Sequence, residues 1–106
     1  MEQTNRNVMN IGIDYDGTIS EDPSMWKRII KIMQDSGHNV YCITKRYKQL
    51  SKDIKDTLPK DMKIIFVETK FKTETTNKMK LKIDVWIDDK PHLIYPIINR
   101  FSRSFR

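Results

Sequence analysis

Two pairs of aspartates close apolar runs in this sequence. Asp14 and Asp16 follow Ile11-Gly-Ile and lead into Gly17-Thr18, and Asp88 and Asp89 follow Val85-Trp-Ile. Carboxylates that converge repel one another unless a cation lies among them. An oxygen-only site of this kind suits Mg²⁺, which keeps several waters and is completed by substrate phosphate. Phosphoryl transfer asks chiefly for in-line positioning and neutralised charge. Asp14 can then serve as nucleophile, forming an aspartyl-phosphate. Asp16, two residues on, can protonate the leaving oxygen and later take a proton from the attacking water. Gly17 lets the backbone bend sharply there. Thr44 closes another apolar run and offers a phosphate its hydroxyl and backbone N–H. A lysine would supply the remaining positive charge.

Those residues must be carried by a scaffold, and the sequence reads as strands alternating with helices. Ile11–Asp14 is a short apolar strand. Asp22-Pro23 opens a helix, with Trp26, Ile29, Ile30 and Met33 at helical spacing and Gly37 as the stop. Asn39–Thr44 is a second strand. Tyr47, Leu50, Ile54 and Leu58 predict one face of a second helix, ended by Pro59. Met62–Val67 is a third strand, the polar run Glu68–Thr76 a loop, and Asn77–Lys82 a short helix or turn. Asp84–Asp88 is a fourth strand, and Lys90-Pro91 opens a last helix through Leu93, Ile94, Ile97 and Ile98. The alternation implies an α/β fold: a minimal Rossmann-like core of about four parallel strands flanked by helices. Ligands bind beyond the carboxyl ends of such strands, which is where Asp14, Thr44 and Asp88 stand.

Ile11-Gly-Ile-Asp-Tyr-Asp-Gly-Thr18 resembles the DxDGT signature of the haloacid dehalogenase (HAD) superfamily. Val40-Tyr-Cys-Ile-Thr44 looks like its second motif, and Lys80-Leu-Lys-Ile-Asp-Val-Trp-Ile-Asp-Asp89 resembles the third and fourth as small capless members carry them. The resemblance spans about residues 10 to 98. It implies a Mg²⁺-dependent phosphatase with Asp14 as nucleophile and metal ligand. Asp16 would be the acid/base and would also bind metal through its backbone carbonyl. Thr44 would hold the phosphate and Lys80 would orient it, with Lys78 and Lys82 as flanking alternatives. Asp88 would bind metal directly, Asp89 would assist, and Arg46 would touch substrate. Ser20–Asp22 and Glu68–Lys82 are too short for a cap domain, so the site is expected to be open. A receiver-type signalling domain shares Mg²⁺, Asp, Thr and Lys, but its phosphoacceptor ends the third strand. Here that position leads to Glu68-Thr69.

The chain of 106 residues is expected to form one domain, with 1–9 and 100–106 as flexible ends. Apolar runs are too short to span a membrane. The single cysteine, Cys42, excludes an intrachain disulfide and suits a reducing cytoplasm. Twenty Lys/Arg against fourteen Asp/Glu give a net charge of +6. Seven lysines and three acids lie between Lys60 and Lys82, and the tail from Arg100 adds three arginines. Such a field favours phosphorylated small molecules or nucleic acid. The competing expectation is a catalytically weak HAD-like module that binds nucleic acid or a protein through this basic surface. His38 and His92 lack a second ligand at metal spacing and are read as structural or exposed. Cys42 and both tryptophans fall on core patterns. Tyr15 either meets substrate or packs under the short flap at Ser20–Asp22, and Phe101 and Phe105 belong to an end expected to fray, with stacking on bases as the alternative.

Overall fold

The structure, a computed structural model, describes residues 7–96. Its strands are β1 (Asn10–Ile13), β2 (Asn39–Thr44), β3 (Lys63–Phe66) and β4 (Val85–Ile87). All pair in parallel, in the order β3-β2-β1-β4. The helices are α1 (Pro23–Asp35), α2 (Lys52–Thr57) and α3 (Lys72–Lys78), with 3₁₀ turns at Ile19–Glu21, Lys48–Leu50 and Pro91–Leu93. The architecture is therefore α/β, a four-stranded parallel sheet with three flanking helices, compatible with a Rossmann-like core. Among the described residues, no helix is long and apolar enough to cross a membrane.

Strand alternation divides the core. Ile11 and Ile13 of β1 and Val40 and Cys42 of β2 join Ile30, Ile54, Leu58 and Met62 in one cluster, which α1 and α2 cover. Burial of Ile30 and Ile54 is complete, and each side chain so buried contributes about 2 kcal/mol. The opposite face packs Ile43, Ile65 and Val67 against Leu81, Ile83 and Trp86. Gly12 lies in β1 on this second face. A Cβ there would come within 2.8 Å of Ile43 Cδ1, so the larger Ile43, Ile83 and Trp86 side chains fill its space.

Helix α1 begins as the sequence predicts. The Asp22 carboxylate accepts from the Met25 N–H at 3.1 Å, and Pro23 follows it. Gly37 closes the turn with φ +96.

The second helix departs from expectation. Its first turn is 3₁₀, and α2 starts only at Lys52. The Ser51 hydroxyl donates to the Tyr47 carbonyl and Arg46 takes the Leu50 carbonyl, so the chain turns aside before α2. Ile54 and Leu58 reach the core, whereas Tyr47 and Leu50 stay exposed.

The stretch Glu68–Thr76 is not all loop. Its second half opens α3, where Phe71 N–H donates to the Glu74 carboxylate at 2.9 Å and Thr73 N–H to the Ile94 carbonyl at 2.8 Å. The helix ends at Lys78, and Lys80 is left-handed, with φ 56. Leu81 N–H reaches the Thr76 carbonyl and Lys80 N–H the Asn77 carbonyl, the paired bonds of a Schellman close.

The last helix is also reduced, to the 3₁₀ turn at Pro91–Leu93. Pro96 disfavours helical backbone at the residue before it. Ile97, Ile98, Phe101, Phe105 and the arginine tail lie outside the described residues, as do positions 1–6. Met9, expected in a flexible end, is tied down: its N–H donates to His38 Nδ1 at 3.0 Å, which also gives that histidine a structural role.

Candidate active site

The carboxyl edge of the sheet gathers Asp14, Thr44 and Asp88. Asp14 follows β1 directly, and its N–H donates to the Ile87 carbonyl of β4 at 2.9 Å, extending the ladder by one step. Asp88 follows β4, so this bond between neighbouring strands sets the two acids side by side. Thr44 is the last residue of β2 and lies buried. Its Oγ1 accepts the Arg46 N–H at 3.2 Å, which leaves the hydroxyl proton free to be donated.

The cation at the centre is Lys72. Its Nζ donates to Asp14 Oδ1 at 2.8 Å, Asp88 Oδ2 at 2.7 Å and the Ile43 carbonyl at 2.7 Å. An ammonium has three protons, and here each has an acceptor. Lys72 is 2% exposed. A buried charge is tolerated only when paired and fully hydrogen-bonded, and Lys72 meets both conditions.

Lys80, assigned to this role from the sequence, is elsewhere. It lines a separate cleft with Thr73, Asn77 and Lys82. A crossover helix in a parallel sheet starts at the carboxyl edge and returns the chain to the amino edge. Lys72 begins α3, whereas Lys78, Lys80 and Lys82 follow or end it. The Lys82 carbonyl accepts from Asn10 Nδ2 at 2.8 Å, at the start of β1, which marks the amino edge. The sequence signal was therefore topological: the lysine that opens the helix after the third strand reaches the site. Reading Glu68–Thr76 as loop concealed it.

Carboxylate oxygens of Asp14, Asp88 and Asp89 lie within 4.8 Å of one another. Asp88 Oδ1 accepts the Lys90 N–H at 2.9 Å, and Lys90 Nζ is 3.5 Å from Asp89. Gly17 sits against Asp89 with φ +84, and a Cβ at that position would collide with the carboxylate. Burial pushes the Asp14 carboxyl up to about 6; the hydrogen bond and charge of Lys72 pull it down, and Asp88 and Asp89 push it up again. The neighbouring hydrogen bond to Asp14 holds Asp89 below the usual carboxylate range. Two of the three acids, Asp14 and Asp88, share one buried ammonium, and the donor atoms of all three are oxygen. Such a set fits a hard divalent cation.

Asp16 stands apart from that group. Its carboxylate accepts from Arg46 Nε at 2.9 Å and Nη2 at 3.1 Å. Arg46 also forks onto Asp53, at 2.9 Å through both Nη atoms. The hydrogen bonds it donates to Asp53 and then to Asp16 push the guanidinium further above its ordinary value. Asp53 was not singled out from the sequence, because a lone acid on a helix carries no signal of its partner. Tyr15 packs into the core, its hydroxyl 3.3 Å from Thr57 Oγ1 and its ring 5.6 Å below the Arg46 guanidinium. Burial pushes the Cys42 thiol up to about 12, so it is no nucleophile at neutral pH.

These groups surround an open cleft of about 230 Å³. Asp14, Asp16, Thr44, Arg46, Lys72 and Asp88 all line it, with Lys45, Lys90 and Leu93 at its walls. Among the residues assigned to the site from the sequence, only Lys80 and Asp89 do not line it, and Asp89 lies beside Asp14. The chain matches no family model, no curated protein and no solved structure.

Proposed function

We propose that the protein is a Mg²⁺-dependent phosphohydrolase of the HAD type that cleaves phosphomonoesters through an aspartyl-phosphate on Asp14. The observation that carries this reading is the buried Lys72 ammonium, shared between Asp14 and Asp88 and open to the cleft. A purely structural lysine gains little from such a place, because a buried ion pair is often no more stable than apolar residues of the same volume. A reaction that gathers negative charge there gains directly.

The chain's own groups divide the work. Lys72 holds Asp14 Oδ1, leaving the other oxygen to attack phosphorus in line. Lys72 and the Thr44 hydroxyl and neighbouring amides stabilise the phosphoryl oxygens. As the bond to the leaving oxygen breaks, Asp16 supplies its proton. Asp16 then takes a proton from water, which attacks the same phosphorus, releases phosphate and restores Asp14. Asp14, Asp88 and Asp89 would hold Mg²⁺, with the Asp16 carbonyl as a further ligand; the ion would neutralise charge on the transferring group. Arg46 keeps the Asp16 side chain at the cleft wall and adds positive charge at its mouth. The buried Cys42 is in keeping with a reducing cytoplasm.

The test is phosphate release from sugar phosphates, nucleotides and end-phosphorylated oligonucleotides. Release that requires Mg²⁺ and stops with EDTA supports the reading. A folded, Mg²⁺-loaded protein that releases nothing from the whole panel overturns it.

A further inference from the structure

Beside the phosphoryl cleft lies a second one, of about 330 Å³, and Lys45 lines both. Its other lining residues are Tyr47, Val67, Glu68 and Thr69. A volume of this size lies within the range of small-ligand sites. Lys45 builds the partition: its ammonium donates to the Thr69 carbonyl at 2.9 Å and the Lys70 carbonyl at 2.7 Å. The segment after β3 is thereby held against the end of β2.

The chemistry of this second cleft differs from the first. Tyr47 is 70% exposed and follows Arg46, whose guanidinium reaches the phosphoryl site. An exposed aromatic ring lining a cleft suits a planar occupant. Lys45, on the wall common to both clefts, supplies positive charge between them. Glu68 adds an acceptor suited to an amino group, as carboxylates accept from base amines.

We propose that the second cleft is a nucleobase subsite, with Tyr47 as its stacking platform, so that the substrate is a nucleotide unit whose phosphate enters the first cleft. The inference rests on the phosphohydrolase reading for the role of that first cleft. An aromatic ring accepts any base face, and the Lys45 charge between the clefts draws the attached phosphate, a combination of the kind that single-stranded nucleic-acid sites use. The shared chemistry is a base joined to a terminal phosphate, carried either by a free nucleotide or by a polynucleotide end.

The experiment compares kcat/KM for adenosine and cytidine monophosphates with that for ribose 5-phosphate, in wild type, Tyr47→Ala and Tyr47→Phe. The expected result is a nucleotide-to-ribose-phosphate ratio that falls roughly tenfold in Tyr47→Ala and survives in Tyr47→Phe. A ratio that does not change in Tyr47→Ala overturns the subsite and leaves the phosphohydrolase reading standing. Should no substrate turn over, equilibrium dialysis of adenosine monophosphate decides the subsite by itself: weaker retention by Tyr47→Ala supports it, and equal retention overturns it. End-phosphorylated pentanucleotides distinguish the sources. A tenfold advantage over the mononucleotide that shrinks with salt assigns a polynucleotide end, and equal values assign the free nucleotide.

Discussion

Lys72 Nζ lies 2.8 Å from Asp14 Oδ1, although 58 residues separate them in sequence. Asp14 comes from the end of β1 and Lys72 from the start of α3, so the pair exists only once the sheet has formed. Everything else in the cleft is arranged around it.

Replacing Lys72 with Met should therefore abolish turnover and destabilise the fold by about 3 kcal/mol at neutral pH, since Asp14 and Asp88 lose their buried partner. Lys80→Met should leave both properties near wild type. Phosphate release and denaturant midpoints check the pair of variants, and the opposite pattern would restore Lys80 to the site.

Lys80 has a backbone role instead. Its φ of 56 closes α3, a conformation costing a residue with a side chain about 1 kcal/mol. Lys80→Gly should raise stability by about 0.5–1 kcal/mol without altering activity. A lowered denaturant midpoint would show that the side chain, not the backbone, matters there.

The contrast between these lysines shows what was legible in the sequence. Strand positions, the α1 cap and the acids at the strand ends could all be read, because period, capping chemistry and the strand-end rule are local signals. Thr44 and Asp88 were placed for the same reason. Lys72 was not, since a Thr-rich heptad such as Lys72–Lys78 has weak helix propensity and gains its structure from tertiary bonds, including Thr73 to Ile94. The broken first turn near Tyr47 was hidden likewise, because it depends on hydrogen bonds made by Ser51 and Arg46. Apolar spacing alone predicted a continuous helix.

Asp14 should make stability depend on pH. Its carboxyl is raised from 3.8 to about 6, chiefly by burial. The native state then holds this proton more tightly than the unfolded chain, so the stabilisation is fully present below 3.8 and is lost as pH rises through about 6. In EDTA at about pH 8, Asp14→Asn should be more stable than wild type by about 2 kcal/mol. The advantage should shrink below about 6 and vanish near 3.8. Denaturant titrations across that range check it, and a wild type of equal or greater stability at high pH would contradict it.

Gly17 is fixed by both its positive φ and its contact with Asp89. Gly17→Ala should cost about 1–2 kcal/mol and weaken Mg²⁺ binding, because the added methyl must displace the Asp89 carboxylate. Thermal shifts against Mg²⁺ concentration read the second effect. An unchanged titration would separate Asp89 from the metal.

The aspartyl-phosphate on Asp14 is tested most directly by quenching the protein with borohydride while it turns over a phosphomonoester, then mapping the modified residue by mass spectrometry. Borohydride reduces an acyl phosphate to an alcohol, so homoserine is expected at Asp14, dependent on Mg²⁺ and on Lys72. Continued turnover with Asp14 unmodified, or with the label on another residue, would contradict it.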